Sequence, residues 1–130
     1  MKIDGITWHA SVTDADGFAS MRTLITDGLG LAAQMEGPGF AMFAMPNGTM
    51  LELYEQSSEF LPPYGYNDGG IAFGFRVDDI EAASAELEVA GAELLGEISR
   101  AELDGRPYAY RHFRAADGRV YGLNELSRST

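Results

Sequence analysis

Two side chains carry the types and settings that could act on a small molecule: His9 and Glu52. An imidazole and a carboxylate can hold a divalent cation together, move a proton to and from a substrate, or form an ion pair with each other. His9 lies in Ile6-Thr7-Trp8-His9-Ala10-Ser11-Val12 and Glu52 in Met50-Leu51-Glu52-Leu53-Tyr54, both strand-like runs. A lone His on a strand face is commonly a hydrogen-bonded core residue. An inward-facing Glu is harder to explain structurally, because burying a carboxylate is costly unless it is paired. Other chemistries lack support. There is no cysteine, which removes disulfides, Cys-ligated zinc and a thiol nucleophile. His9, Ser11 and Asp14 form no triad signature, and Gly28-Leu29-Gly30 and Gly37-Pro38-Gly39 lack the strand-to-helix setting of a phosphate loop.

The elements that must position His9 and Glu52 come as two copies of one unit. Asp16 matches Asp79, Leu24 matches Leu87, Gly28 matches Gly91, and His9 falls opposite Ala72. Later, Phe43 matches Phe113, Asn47-Gly48 matches Asp117-Gly118, Leu53 matches Leu123, and Glu52 falls opposite Gly122. The second copy is longer in the middle, around Arg100 to Arg106. Each copy opens with a strand, Ile6 to Val12 and Ile71 to Val77. A helix follows. In the first copy Asp14 or Asp16 caps a stripe of Phe18, Met21, Leu24 and Ile25 that Gly28 stops. In the second, Asp78 or Asp79 caps a stripe of Ile80, Ala83, Leu87 and Ala90 that Gly91 stops. Three strands complete each unit, the last two joined by Asn-Gly or Asp-Gly, the strongest short hairpin signal. The order is βαβββ twice, an α+β chain. Module one spans about 4–56, a Pro-, Gly- and Ser-rich linker 57–69, and module two about 70–127.

With two-residue hairpin loops, Phe43 sits beside Glu52, Phe113 beside Gly122 and Arg111 beside Asn124, while His112 points away. Strand alternation then groups His9, Met50, Glu52 and Tyr54 with Phe43, and Arg111, Phe113 and Asn124 in the second copy. Apolar walls with a few polar anchors are how small-molecule pockets are built, and aromatic faces favour a flat, unsaturated ligand. Phe60, Tyr64 and Tyr66 of the linker either cover such a site or anchor the linker to the body. Met35, Met42, Met45 and Met50 read first as core filler. Arg76 at a groove edge would pair with acids.

A chain of 130 residues, 45% hydrophobic and 22% charged, is an ordinary globular domain in size and composition. Its net charge of -11 opposes nucleic-acid binding and keeps the chain soluble. No apolar run approaches a membrane span and the N-terminus reads as no signal peptide, so a cytoplasmic setting is expected.

The duplicated order resembles the vicinal oxygen chelate superfamily, which includes glyoxalases, extradiol dioxygenases and bleomycin-resistance binding proteins. The resemblance runs from Ile6 to Leu126 and is densest in Ala72-Phe73-Gly74-Phe75-Arg76-Val77-Asp78-Asp79-Ile80-Glu81-Ala82-Ala83. It implies two βαβββ modules pairing into a curved mixed sheet around a cleft. Enzymes of the group hold a divalent metal through a His or Gln on the first strand and a Glu on the last strand of each module. His9 and Glu52 match the first pair, and Ala72 and Gly122 stand where the second would be; neither of those side chains coordinates a cation. The resemblance therefore implies a homodimeric binding protein of the bleomycin-resistance type. It would have no metal, no cofactor and no catalytic residue, and would sequester an aromatic natural product such as an antibiotic at the dimer interface. Its expected ligand-binding residues are His9, Phe43, Met50, Glu52, Tyr54, Tyr64, Tyr66, Arg111, Phe113 and Asn124. The alternative is a metal-dependent glyoxalase-like lyase, isomerase or thiol transferase using His9 and Glu52, and a third is a metal-free enzyme with His9 or Glu52 as base.

Overall fold

In the computed structural model of the chain, residues 3–62, 70–103 and 105–126 are described. The elements follow the order expected from the repeat. The first module comprises β1 (Ile3–Thr13), α1 (Ala15–Thr23), β2 (Ala33–Gly37), β3 (Phe40–Ala44) and β4 (Met50–Glu55). The second comprises β5 (Ile71–Val77), α2 (Ile80–Val89), β6 (Glu93–Leu103), β7 (Arg106–Arg114) and β8 (Val120–Leu126). The α+β class and the two βαβββ modules are thus present. The compact units cut across the repeat at two strands. Residues up to Thr7 group with those from Phe73 onward, and Trp8–Ala72 form the other unit.

The first module orders its strands β2-β3-β4-β1, with β1 and β4 parallel and the β2–β3 and β3–β4 pairs antiparallel. Asp14 caps α1, its carboxylate accepting the Gly17 N–H at 2.8 Å. A π-helical turn, Leu24–Gly28, continues the helix and sinks Ile25 among Ala41, Phe43 and Leu53. Phe18, Met21 and Leu51 pack around this cluster, so one face of the module lies under the helix.

The second module repeats the plan as β5-β8-β7-β6, with β5 and β8 parallel. Asp79 caps α2 by accepting the Glu81 and Ala82 N–H groups, both at 3.1 Å. Gly91 ends it at φ +102, where an L side chain would be strained. Ile80 and Ala83 bury against Val77, Ala109, Phe113 and Leu123. The extra residues of this copy lengthen one hairpin. Strands β6 and β7 pair out to Leu103 and Arg106, beyond a bulge between Leu95 and Ser99.

The hairpin loops differ from the two-residue form, and the difference moves every side chain. The Met45 N–H donates to the Thr49 carbonyl at 2.8 Å and the Gly48 N–H to the Met45 carbonyl at 2.9 Å, leaving Pro46, Asn47 and Gly48 in the loop. Ala115, Arg119 and Gly118 make the same two bonds, both at 2.9 Å. Each loop is a turn followed by a glycine at positive φ, +88 at Gly48 and +80 at Gly118. A two-residue loop would require Pro46 to donate an N–H it does not have. The pairing accordingly sets Met42 against Glu52 and Phe43 against Leu51, and His112 against Gly122 and Phe113 against Tyr121. A one-residue change of register exchanges the two faces of a strand. Phe43 and Phe113, expected beside Glu52 and Gly122, therefore lie in the two helix-covered cores, and His112 takes the opposite face.

Phe43 is 0% exposed. Phe43→Ala is expected to cost about 3–5 kcal/mol of stability in urea unfolding, the usual range for an emptied aromatic site. A loss below about 1 kcal/mol would return Phe43 to an uncovered face.

Candidate functional site

The face of the first module turned away from α1 is built from alternate residues of three strands. Trp8, Ala10 and Val12 of β1 stand in register with Met50, Glu52 and Tyr54 of β4, which in turn pair with Ala44, Met42 and Phe40 of β3. Trp8, Phe40, Met42, Met50 and Tyr54 are all buried. Glu52 is the one ionisable carboxylate in that row. The Trp8 indole N–H donates to its Oε2, and the Tyr54 hydroxyl donates to its Oε1 at 3.0 Å. Burial raises the Glu52 pKa, and the Trp8 and Tyr54 hydrogen bonds oppose that rise. By surface exposure the residue is only half-buried, yet its carboxylate is dehydrated. The Tyr54 ring meets Phe40 with centroids 5.1 Å apart.

The corresponding face of the second module carries Gly74 and Arg76 of β5, Gly122 and Asn124 of β8, and Tyr110 and His112 of β7. His112 is buried, which lowers its pKa to about 4 and leaves the imidazole neutral at pH 7. Tyr110 sits edge-on to it at 6.0 Å and Tyr108 follows at 5.8 Å, an aromatic ladder along the strand. The buried Asn124 amide donates to Thr7 Oγ1 at 3.2 Å.

Of the residues expected to line a site, Met50, Glu52 and Tyr54 are brought together on one face. Asn124 shares the face of Gly122 in the other compact unit. His9 is not brought to Glu52. It pairs with Leu51, whereas Glu52 pairs with Ala10, so the imidazole and the carboxylate occupy opposite faces. Arg111 pairs with Leu123 on the helix-covered face, and its guanidinium donates to the Gly96 carbonyl through Nε at 3.1 Å and Nη2 at 2.8 Å. It braces the β6 bulge rather than facing Asn124. Phe43 and Phe113 are core residues. Tyr64 and Tyr66 lie outside the described residues. Trp8 and Phe40 were not singled out, Met42 was read first as core filler, and His112 was expected to point away. Pro46 was the available signal, because proline favours the second position and glycine the fourth of the turn Met45-Pro46-Asn47-Gly48. That turn alone yields the register that places Phe40 and Met42.

The divalent metal implied by the resemblance does not fit this donor set. The β1 side chain that reaches Glu52 is an indole that presents a proton, not a lone pair. Met42, Ala10 and Tyr54 complete the surroundings. In the second module Gly122 pairs with Gly74, and neither has a side chain to coordinate with. Among the described residues no group of three or more His, Cys, Asp or Glu side chains converges as a metal site would require.

The raised pKa of Glu52 gives a signed pH dependence. Its folded form holds a proton more tightly than its unfolded form, so stability falls as pH rises through the window from 4.5 upward to the raised value. Glu52→Gln is therefore expected to melt higher than the parent at pH 8. The difference should shrink as pH falls to 4.5 and below, where the parent is also neutral. A melting difference that does not change with pH would show that the carboxylate is not dehydrated.

The sequence matches no protein-family model and no curated protein. Solved structures are similar in fold. A glyoxalase/bleomycin resistance protein/dioxygenase superfamily member from Vibrio splendidus 12B01 superimposes with a TM-score of 0.61 at 15% identity, over 95% of this chain and 99% of that one. Methylmalonyl-CoA epimerase from Mycobacterium tuberculosis gives 0.64 at 22% identity, over 97% and 90%. The Mn(II)-bound glyoxalase from Novosphingobium aromaticivorans gives 0.72 at 15% identity, with 99% of this chain covering 42% of that one. Together with the two βαβββ modules, these likenesses show that the chain has the vicinal oxygen chelate fold of the glyoxalase/bleomycin resistance/dioxygenase proteins.

Proposed function

We propose that the chain binds a small, flat, aromatic molecule on the Glu52-bearing face of its first module, without a metal and without turnover. The observation that carries this reading is the company Glu52 keeps. Its neighbours are aromatic rings, thioethers and an indole N–H, and among the described residues no His, Asp or second Glu shares its row. Rings and methionines supply adaptable apolar contact. A dehydrated carboxylate supplies one strong, oriented acceptor for a cationic or N–H-bearing ligand. Sequestration of a natural product, in a homodimer as the resemblance implies, remains part of the proposal.

One observation favours a second reading. A carboxylate with a raised pKa suits proton abstraction, and one structural neighbour is a methylmalonyl-CoA epimerase. Against it, both carboxylate oxygens already accept hydrogen bonds, from Trp8 and Tyr54, which lowers their basicity.

Trp8 is the one tryptophan of the chain and touches Glu52, so its fluorescence reports on the site. Titration with antibiotics that carry a flat aromatic group, bleomycin with its bithiazole among them, is expected to give saturable quenching that EDTA leaves unchanged. Glu52→Gln should weaken binding by about tenfold to a hundredfold, since charged hydrogen bonds contribute roughly 1.5–3 kcal/mol. Binding that vanishes in EDTA and returns with a divalent cation sinks the proposal. Turnover abolished by Glu52→Gln with affinity intact would select the proton-abstracting reading.

A further inference from the structure

The segment after β4 places an aromatic ring where the fold leaves a gap for one. Phe60 is 47% exposed, yet its ring stacks on Phe40 at 5.4 Å and 26°. Phe40 in turn meets Tyr54, whose hydroxyl donates to Glu52. Beneath the Phe60 ring lies Gly37 of β2. A Cβ at that position would fall 2.7 and 2.8 Å from two ring carbons, closer than such contacts are ever found, so the ring occupies the volume a side chain would fill. The hold on Phe60 is slight. Ser58 Oγ donates to the Pro38 carbonyl at 2.9 Å and accepts the Phe60 N–H at 3.2 Å, and Leu61 N–H donates to the Ser58 carbonyl at 3.2 Å. These are surface hydrogen bonds that water can replace.

Resting on the ligand-binding reading above, we propose that Gly37, Phe40 and Tyr54 form a ring-binding subsite. The chain's own Phe60 fills it, and a ligand's six-membered aromatic ring displaces Phe60. The geometry selects the ligand class. A benzene-sized ring already fits between the Gly37 backbone and the Phe40 face, and offset stacking needs only a flat partner. The displacement is inexpensive because Phe60 as a residue already keeps about half its surface in water, so swinging the ring outward forfeits only the remainder. Phe60 therefore competes with the ligand and sets a threshold for binding, as any minor-state site must.

The test uses the full chain and p-cresol as probe, read by calorimetric titration, with circular dichroism verifying the fold of each variant. Phe60→Ala and Phe60→Leu are expected to bind p-cresol at least fivefold more tightly than the parent. Leu lacks the flat ring that stacks on Phe40 but keeps an apolar side chain, and so guards against loss of folding in the Ala variant. Adding Gly37→Ala to Phe60→Ala should reduce the affinity again by at least fivefold, because the new methyl group enters the vacated ring position. No gain in the folded Phe60 variants, or indifference to Gly37→Ala, overturns the proposal. Tight p-cresol binding by Phe60→Ala in a chain that takes up no aromatic antibiotic would uphold the subsite while defeating the sequestration reading. Antibiotic binding by the parent with no p-cresol effect would do the reverse.

Discussion

Two backbone hydrogen bonds set the placement of the site, Met45 N–H to the Thr49 carbonyl and Ala115 N–H to the Arg119 carbonyl. Each closes a three-residue loop and so decides which side chains of the preceding strand face the helix. Side chains alternate along a strand, and there is no intermediate setting between the two registers. With the observed register, Phe43 and Leu53 meet Ile25 under α1, and Phe113 and Leu123 meet Ile80 under α2. The opposite faces are then left to Glu52, Met42 and Tyr54 in one module and to His112, Tyr110 and Asn124 in the other. Core packing and site composition follow from the same few atoms.

The environment of Glu52 differs from what a divalent cation would require. A carboxylate facing a metal needs neighbours with lone pairs. Here its oxygens receive an indole N–H and a phenol O–H. Those donors offset part of the cost of dehydrating the anion, and they orient it. The second module carries the change further, with paired glycines at Gly74 and Gly122 where side chains would project. The two copies share the backbone plan but carry different side chains on this face: a hydrogen-bonded acid in one, a neutral buried imidazole beside an aromatic ladder in the other.

Much of the fold was legible because local signals agreed with one another. Capping aspartates, helical stripes ending at glycines and loop dipeptides recurred in the same order, and the structure has Asp14, Asp79 and Gly91 in those capping and stopping roles. The lengthened β6–β7 hairpin accounts for the added residues of the second copy. The site was legible only in part. Met50, Glu52 and Tyr54 lie two residues apart on one strand, so alternation alone unites them. Pairing Glu52 with a residue of another strand required the register, and reading Asn47-Gly48 as a complete loop displaced it by one residue. The missing N–H of Pro46 argued against that loop, and nothing equivalent marks Ala116 in the second copy.

By itself, the sequence determined that two βαβββ units exist, which aspartates could open their helices, and that one carboxylate lies at an inward position in the first. Those properties rest on interactions between residues near in the chain, which spacing and side-chain type express directly. Only the tertiary structure decided that Glu52 answers to Trp8 rather than to His9. β1 and β4 are parallel strands joined by a long connection, and no local turn ties their registers. Their alignment is set by the packing of α1 and the neighbouring hairpin. A shift of one residue there separates a half-formed metal site from a hydrogen-bonded anion among aromatic rings.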